Sequence, residues 1–172
     1  MLFLSAGHSN TDSGAVANGY SEAALMTEFR NLVIFYVSNA QVPFISDGKK
    51  SDNLPLKHAM SMARQATIAV EFHLNSGPAE AGGVETLSAP KDFQLGTKLC
   101  YAVSKVLGIQ NRGPKPENAG HHSKLGFVQA GGLILELFFI TNKEELQKYL
   151  DKKWLVAKAV AEVLIQEMKH EA

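Results

Sequence analysis

Two histidines and two glutamates stand where this 172-residue sequence could do chemistry. Glu136 lies in the middle of Gly131-Gly-Leu-Ile-Leu-Glu-Leu-Phe-Phe-Ile-Thr-Asn142, the most apolar run in the chain. A short apolar run led in by glycines and closed by Thr-Asn reads as a strand buried on both faces. An ionised carboxylate there loses several kcal/mol of hydration, so it takes up a proton, finds a cation or faces a polar cavity. It is either a structural glutamate bonded to backbone or to an arginine, or a general acid or base on the floor of a site. His8 and His73 each follow a separate apolar segment, Leu2-Phe-Leu-Ser-Ala6 and Thr67-Ile-Ala-Val-Glu-Phe72. Taken singly, each reads first as a polar loop residue or a hydrogen-bonded core imidazole. Glu22, at the start of the helix that leaves the His8 loop, can reach the same side and add a carboxylate. Two imidazoles and one carboxylate would leave a tetrahedral zinc with one open position, the pattern of a hydrolytic site. Such an ion acidifies water and polarises a carbonyl, and Glu136, its pKa raised by apolar neighbours, would carry the proton to the leaving nitrogen.

The elements that must position these residues follow from periodicity. A strand over Leu2 to Ala6 runs into a Gly-, Ser- and Asn-rich loop, and a helix opens at Ser21-Glu22, with Ser21 its cap. Val42 to Ser46 reads as a strand, and Pro55 to Arg64 as a helix with Leu56, Ala59, Met60 and Ala63 inward. Thr67 to His73 and Gly83 to Ser88 read as strands, and Phe93 to Leu107 as a helix stopped by Gly108. Gly113 to Lys124 reads as a loop, either mobile on the active face or plain surface linker, with His121-His122 inside it. Asn142 to Glu145 looks like a capping box for a short helix, and Asp151 like the cap of a last helix with Trp154, Ala157, Val160, Leu164 and Met168 on one side. This order predicts a single α/β domain, with a twisted, mostly parallel sheet covered by helices on both faces. Ligands of such sheets collect beyond the carboxyl ends of the strands, where His8 and His73 lie.

Composition narrows the function classes. The 17 basic and 17 acidic side chains cancel, which argues against a nucleic-acid binder or a polybasic membrane-surface protein. No segment approaches membrane-spanning length. The single cysteine, Cys100, falls on an apolar helix stripe, excludes a disulfide within the chain and suits a reducing compartment. His58 and His170 read as surface residues.

The quoted motifs, taken in order, are Gly7-His8 with Asp12, Gly14-Ala15 and Glu22; Phe72-His73-Leu-Asn75; Gly83-Val-Glu85; Asn111-Arg112-Gly113; and Leu135-Glu136-Leu-Phe-Phe-Ile-Thr-Asn142. Together they resemble the zinc-dependent N-acetylmuramoyl-L-alanine amidases of the type three family, and more closely the catalytic domains of phage endolysins. The resemblance spans nearly the whole chain. It implies a twisted sheet of about six strands, one Zn2+ per chain held by His8, Glu22 and His73, and Glu136 as the catalytic glutamate. The implied reaction cleaves the peptidoglycan amide between the lactyl group of muramic acid and the first L-alanine of the stem peptide. Ser9 departs from the second glycine common in the family. Arg112 is a candidate substrate-binding residue, since a planar guanidinium suits bidentate carboxylate contacts; Asn75 is either a second one, donating an amide hydrogen bond to substrate, or a residue that orients its loop; Lys115 reads as solvated surface. A second zinc site at His121-His122 is less expected than a solvated loop.

The expectation is therefore one catalytic domain over residues 1–172, with no separate wall-binding domain, no nucleic-acid partner, no membrane insertion, and a monomer as the simplest state. Without a recognisable export signal, a phage or prophage lysin would accumulate in the cytoplasm and meet the wall after release; release by another route would make it a secreted or wall-bound prophage enzyme or autolysin. Two rivals remain: another zinc amidohydrolase or peptidase, and a wall-binding homologue that has lost turnover.

Overall fold

The computed structural model describes residues 1–119 and 123–170. The His121-His122 pair lies outside them. The chain runs through β1 (Leu2–Ala6), a small hairpin of β2 (Val16–Ala17) and β3 (Tyr20–Ser21), α1 (Glu22–Asn39), β4 (Phe44–Ser46), α2 (Leu56–Ala63), β5 (Ile68–Asn75) and β6 (Val84–Ser88). A 3-10 turn (Pro90–Asp92) then leads to α3 (Phe93–Leu107), β7 (Asn111–Pro116), α4 (Gly126–Gln129), β8 (Leu133–Phe139) and α5 (Lys143–His170).

Six strands form the main sheet in the order β4-β1-β5-β8-β6-β7. β4, β1, β5 and β8 are mutually parallel, whereas β6 pairs antiparallel with β8 and carries β7 parallel beside it. The domain is thus α/β with a mostly parallel sheet.

Side chains alternate across the pleat, and this decides where chemistry can occur. On β1, β5 and β8, one set (Leu2, Leu4, Ala6; Val70, Phe72, Leu74; Leu133, Leu135, Leu137) enters the large core shared with α1, α3 and α5. The opposite set begins apolar, with Phe3, Ala69 and Ile134 packed in a smaller core that includes residues of α2 and α4. Continuing that alternation towards the strand ends gives Ser5, Glu71, His73 and Glu136. The run around Glu136 is buried and apolar on either side of it, from Leu133 to Leu135 and from Leu137 to Phe139, and only its middle residue is polar.

The structure departs from expectation in two element boundaries and in three side-chain placements. Asn111–Pro116 is an edge strand, not the opening of a loop; its two prolines are tolerated because β7 pairs on one side only. The last two helices are one continuous helix of 28 residues. Asn142 caps it, its Oδ1 accepting from the backbone N–H groups of Glu144 and Glu145, both at 3.1 Å. Its buried stripe is set by Leu146, Tyr149, Val156, Val160 and Leu164, which leaves Trp154 half-exposed against Phe35. Leu56 likewise faces outward, whereas Ala59 and Ala63 are buried. Ser21 occupies the N-cap of α1 but makes no side-chain capping bond.

Candidate metal centre and acid

The carboxyl end of β1 turns sharply at Gly7-His8. His8 has φ +68°, a left-handed conformation that is uncommon for a residue with a side chain and marks strain of the sort found at functional sites. Asn53 anchors the turn, its Nδ2 donating to the Gly7 carbonyl at 2.9 Å. Ser9 stabilises the loop beyond through a backbone pair with Asp12 and by accepting the Thr11 N–H at 3.2 Å. Two glycines make room: a Cβ on Gly7 would stand 2.3–2.6 Å from the His73 ring, and one on Gly14, itself at φ +61°, would stand 2.5–2.7 Å from the His8 ring and Glu22.

Glu22 is the hub. Its Oε1 accepts from the Leu74 N–H at 2.9 Å and lies 3.0 Å from His73 Nδ1. Its Oε2 accepts from the Ala15 N–H at 3.0 Å and lies 3.0 Å from His8 Nε2. The β2–β3 hairpin fixes the helix start that carries it, since the Glu22 N–H donates to the Ala15 carbonyl at 2.9 Å. The remaining ring nitrogens are braced by other acids: His8 Nδ1 sits 3.0 Å from Asp12, and His73 Nε2 sits 3.0 Å from Glu71. His8, Glu22 and His73 thus offer one donor atom each, all within 4.8 Å of one another. Two donors bound to one zinc at about 2.0–2.1 Å in tetrahedral geometry stand roughly 3.3 Å apart, so a modest opening of this cluster admits an ion. The donor set of two imidazoles and one carboxylate also fits a divalent metal chemically.

Electrostatics follow the contacts. Hydrogen bonding to Glu22 raises the His8 pKa against the opposing effect of burial. Burial pulls His73 down, but its hydrogen bonds to Glu22 and Glu71 prevail and lift it well above the ordinary imidazole value. For Glu22, burial pushes upward and is overcome by the two imidazoles and the Leu74 N–H, leaving the carboxyl far below its usual range.

Glu136 is placed differently. It faces His73 across the β5–β8 pair and Glu85 across the β8–β6 pair. Its Oε2 is buried and has no hydrogen-bond partner among the described residues. Burial raises its pKa to about 7, with the nearby Glu22 and Glu85 carboxylates adding to the effect and His73 opposing it. No guanidinium locks it: Arg112 Nε donates to Glu85 Oε2, its Nη1 donates to the Gly82 carbonyl at 3.3 Å, and the guanidinium lies 5.2 Å from the centre of the Phe139 ring.

Of the residues considered for substrate contact, Asn75 has both ends of its amide engaged, donating to Glu85 Oε1 at 3.1 Å and accepting from the Ser76 N–H at 3.0 Å. Lys115 is paired, not solvated, donating to Glu85 Oε2 at 2.7 Å. Glu85 therefore gathers Asn75, Arg112 and Lys115 beside Glu136, a hub that the sequence showed only as part of a short motif. In front of the histidines is a cleft of about 360 Å³ lined by His8, His73 and Glu71 and rimmed by Pro55, Leu56 and Leu125. That position explains why Leu56 is left exposed. Cys100 is packed in the core, as its helix stripe predicts.

Comparison with known proteins places the site in context. The N-acetylmuramoyl-L-alanine amidase family profile matches residues 2–166. A crystal structure of a protein from Neisseria meningitidis, proposed to be an N-acetylmuramoyl-L-alanine amidase, superposes with a TM-score of 0.91 at 39% identity, covering 98% of this chain and 95% of that one. The catalytic domain of CwlV, an N-acetylmuramoyl-L-alanine amidase from Bacillus (Paenibacillus) polymyxa var. colistinus, shares the fold, with a TM-score of 0.80 at 20% identity over 98% of this chain and 97% of that one. The endolysin of Bacillus phage SPP1 is 28% identical over 156 residues, covering 84% of this chain and 56% of the endolysin's own length.

Proposed function

The chain belongs to the N-acetylmuramoyl-L-alanine amidase family, and from that premise we propose that it is a zinc-dependent peptidoglycan hydrolase, with His8, Glu22 and His73 holding the metal and Glu136 acting as general acid and base. The observation that carries this reading is the convergence of His8, Glu22 and His73 next to a half-buried acid whose inner oxygen has no hydrogen-bond partner among the described residues. When bound, the metal supplies Lewis acidity to the amide carbonyl and to the attacking water. Glu136 takes the proton from that water and returns it to the amide nitrogen as the C–N bond breaks, leaving a lactyl carboxylate and a free L-alanine amine. A carboxyl near pH 7 suits both halves of that transfer, because it can be either protonated or ionised at modest cost. The strand pairing keeps Glu136 in register with His73, so the acid is carried on rigid backbone beside the metal ligands.

Arg112 and Lys115 share the single carboxylate of Glu85, which lies across the strand pair from Glu136, an arrangement that leaves one positive charge in excess over that carboxylate. Arg112 is thus suited to meet a stem-peptide carboxylate while Lys115 continues to neutralise Glu85. The likeness to the phage endolysin favours a lytic enzyme that meets the wall after leaving the cytoplasm where it is made.

Incubation of the zinc-loaded protein with purified muropeptides, followed by mass analysis, tests the reading. Release of intact stem peptides with free L-alanine amino termini is expected. Cleavage between amino acids of the stem would point to a peptidase, and wall binding without any turnover by the zinc-loaded protein would point to an inactive homologue.

A further inference from the structure

From the side of the His73 ring that faces away from Glu22, a line of buried polar side chains runs back to Arg30 on α1. Glu71 Oε1 lies 3.0 Å from His73 Nε2, and Glu71 Oε2 accepts from Ser5 Oγ at 3.0 Å. Ser5 Oγ is also 2.8 Å from Asp47 Oδ2, and Asp47 Oδ1 accepts from Arg30 Nη1 at 2.9 Å. Arg30 Nη2 ends the line on the Asp52 carbonyl at 2.8 Å. Ser5, Arg30 and Asp47 are fully buried, and Glu71 is 4% exposed.

Such a chain is costly to desolvate, and apolar side chains of similar volume often stabilise a core at least as well. The preceding positions on this same face, Phe3 on β1 and Ala69 on β5, are apolar. What distinguishes the polar line is where it leads: it terminates on one ring nitrogen of His73. A carboxylate that accepts one imidazole N–H fixes the tautomer and aims the other nitrogen as a ligand.

We propose that Glu71 is a positioning residue for metal binding: by accepting the Nε2–H of His73 it presents the Nδ1 lone pair on the Glu22 side, and Ser5, Asp47 and Arg30 hold it in place from behind. This rests on the reading of His73 as a metal ligand. The equivalent brace on His8 is weaker, because the Asp12 side chain is 64% exposed and its pairing is screened by solvent. The two histidines are therefore supported unequally, one from inside the core and one from the surface.

Zinc dissociation constants of the full chain, measured by competition with a chromogenic chelator, test this. E71A is expected to weaken zinc binding by about 10–100-fold, the usual effect of losing an outer carboxylate. E71Q, whose side-chain carbonyl can accept the same N–H, is expected to recover most of that loss, and D12A to cost less than E71A. In the zinc-loaded wild-type protein, ¹⁵N NMR of the imidazoles should show His73 protonated at Nε2 and metal-bound at Nδ1, a readout that needs no variant to fold. Wild-type zinc affinity in E71A, or a His73 protonated at Nδ1, overturns the proposal while leaving the metal site standing. A wild-type protein that takes up no zinc overturns the metal reading and this inference with it.

Discussion

Two acids of the same residue type, one opening helix α1 and the other in the middle of strand β8, are treated in opposite ways. Around Glu22 four donors crowd two oxygens, two of them backbone N–H groups and two imidazoles, and the carboxyl is held ionised. Around Glu136, the buried Oε2 finds no partner among the described residues, and the pKa rises to about 7. A carboxylate surrounded by donors is a fixed anion suited to hold a cation; one without partners is suited to move a proton. The fold produces this contrast by position alone. Glu22 starts a helix facing the backbone of β5, whereas Glu136 sits inside a strand whose neighbours across the ladder are His73 and Glu85.

The largest effect should come from erasing the proton carrier. E136A is expected to lower turnover by roughly 10²–10⁴-fold while zinc stoichiometry stays at that of the wild type; metal loss in this variant would break the proposed division of labour. Replacing the opposite member, H73A, should instead lower zinc affinity by about 10²-fold or more, because two donors remain of three. Zinc uptake should also weaken as pH falls. Both imidazole pKa values are raised in the metal-free protein, so protons compete with the ion for the same nitrogens up to a higher pH than for free histidine.

A fourth test concerns stability. The Glu136 pKa is raised in the folded state, from 4.5 to about 7, so folding of the metal-free protein loses stability as pH rises through that window and does not regain it above. E136Q, which cannot ionise, should match the wild type in chemical denaturation below pH 4.5 and exceed it above pH 7 by about 1–3 kcal/mol. Equal stability at pH 8 would show that the acid is better solvated than its contacts indicate. The smallest effect is expected for R112A. Lys115 and Asn75 still satisfy Glu85 in that variant, so stability should fall by only about 1 kcal/mol, whereas KM for muropeptides should rise if Arg112 meets substrate.

Much of this arrangement was legible in the sequence because each element carried its own signal. Leu2–Ala6 and Phe93–Leu107 have the predicted bounds, and the residues singled out at the strand ends come together in space. Less legible were features that depend on a partner distant in sequence. The edge strand at Asn111 contains two prolines and looks like loop until β6 is there to pair with it. Asp151 resembles a cap but is passed over, because Asn142 had already started the helix and Leu146 and Tyr149 had set its buried stripe. Glu71 and Ser5 read as ordinary strand residues; only the parallel pairing of β1 with β5, which sets Ser5 opposite Glu71, links them into a line behind His73. Lys115 lacked any local sign of its partner, 30 residues away.

The most direct test of the central claim is an anomalous diffraction map collected at the zinc edge from crystals of the zinc-loaded protein. The account predicts one strong peak bounded by His8 Nε2, His73 Nδ1 and the Glu22 carboxylate, with the Glu136 carboxyl beside it and not among its ligands. A peak elsewhere, or one that recruits Glu136 as a ligand in place of Glu22, would contradict it.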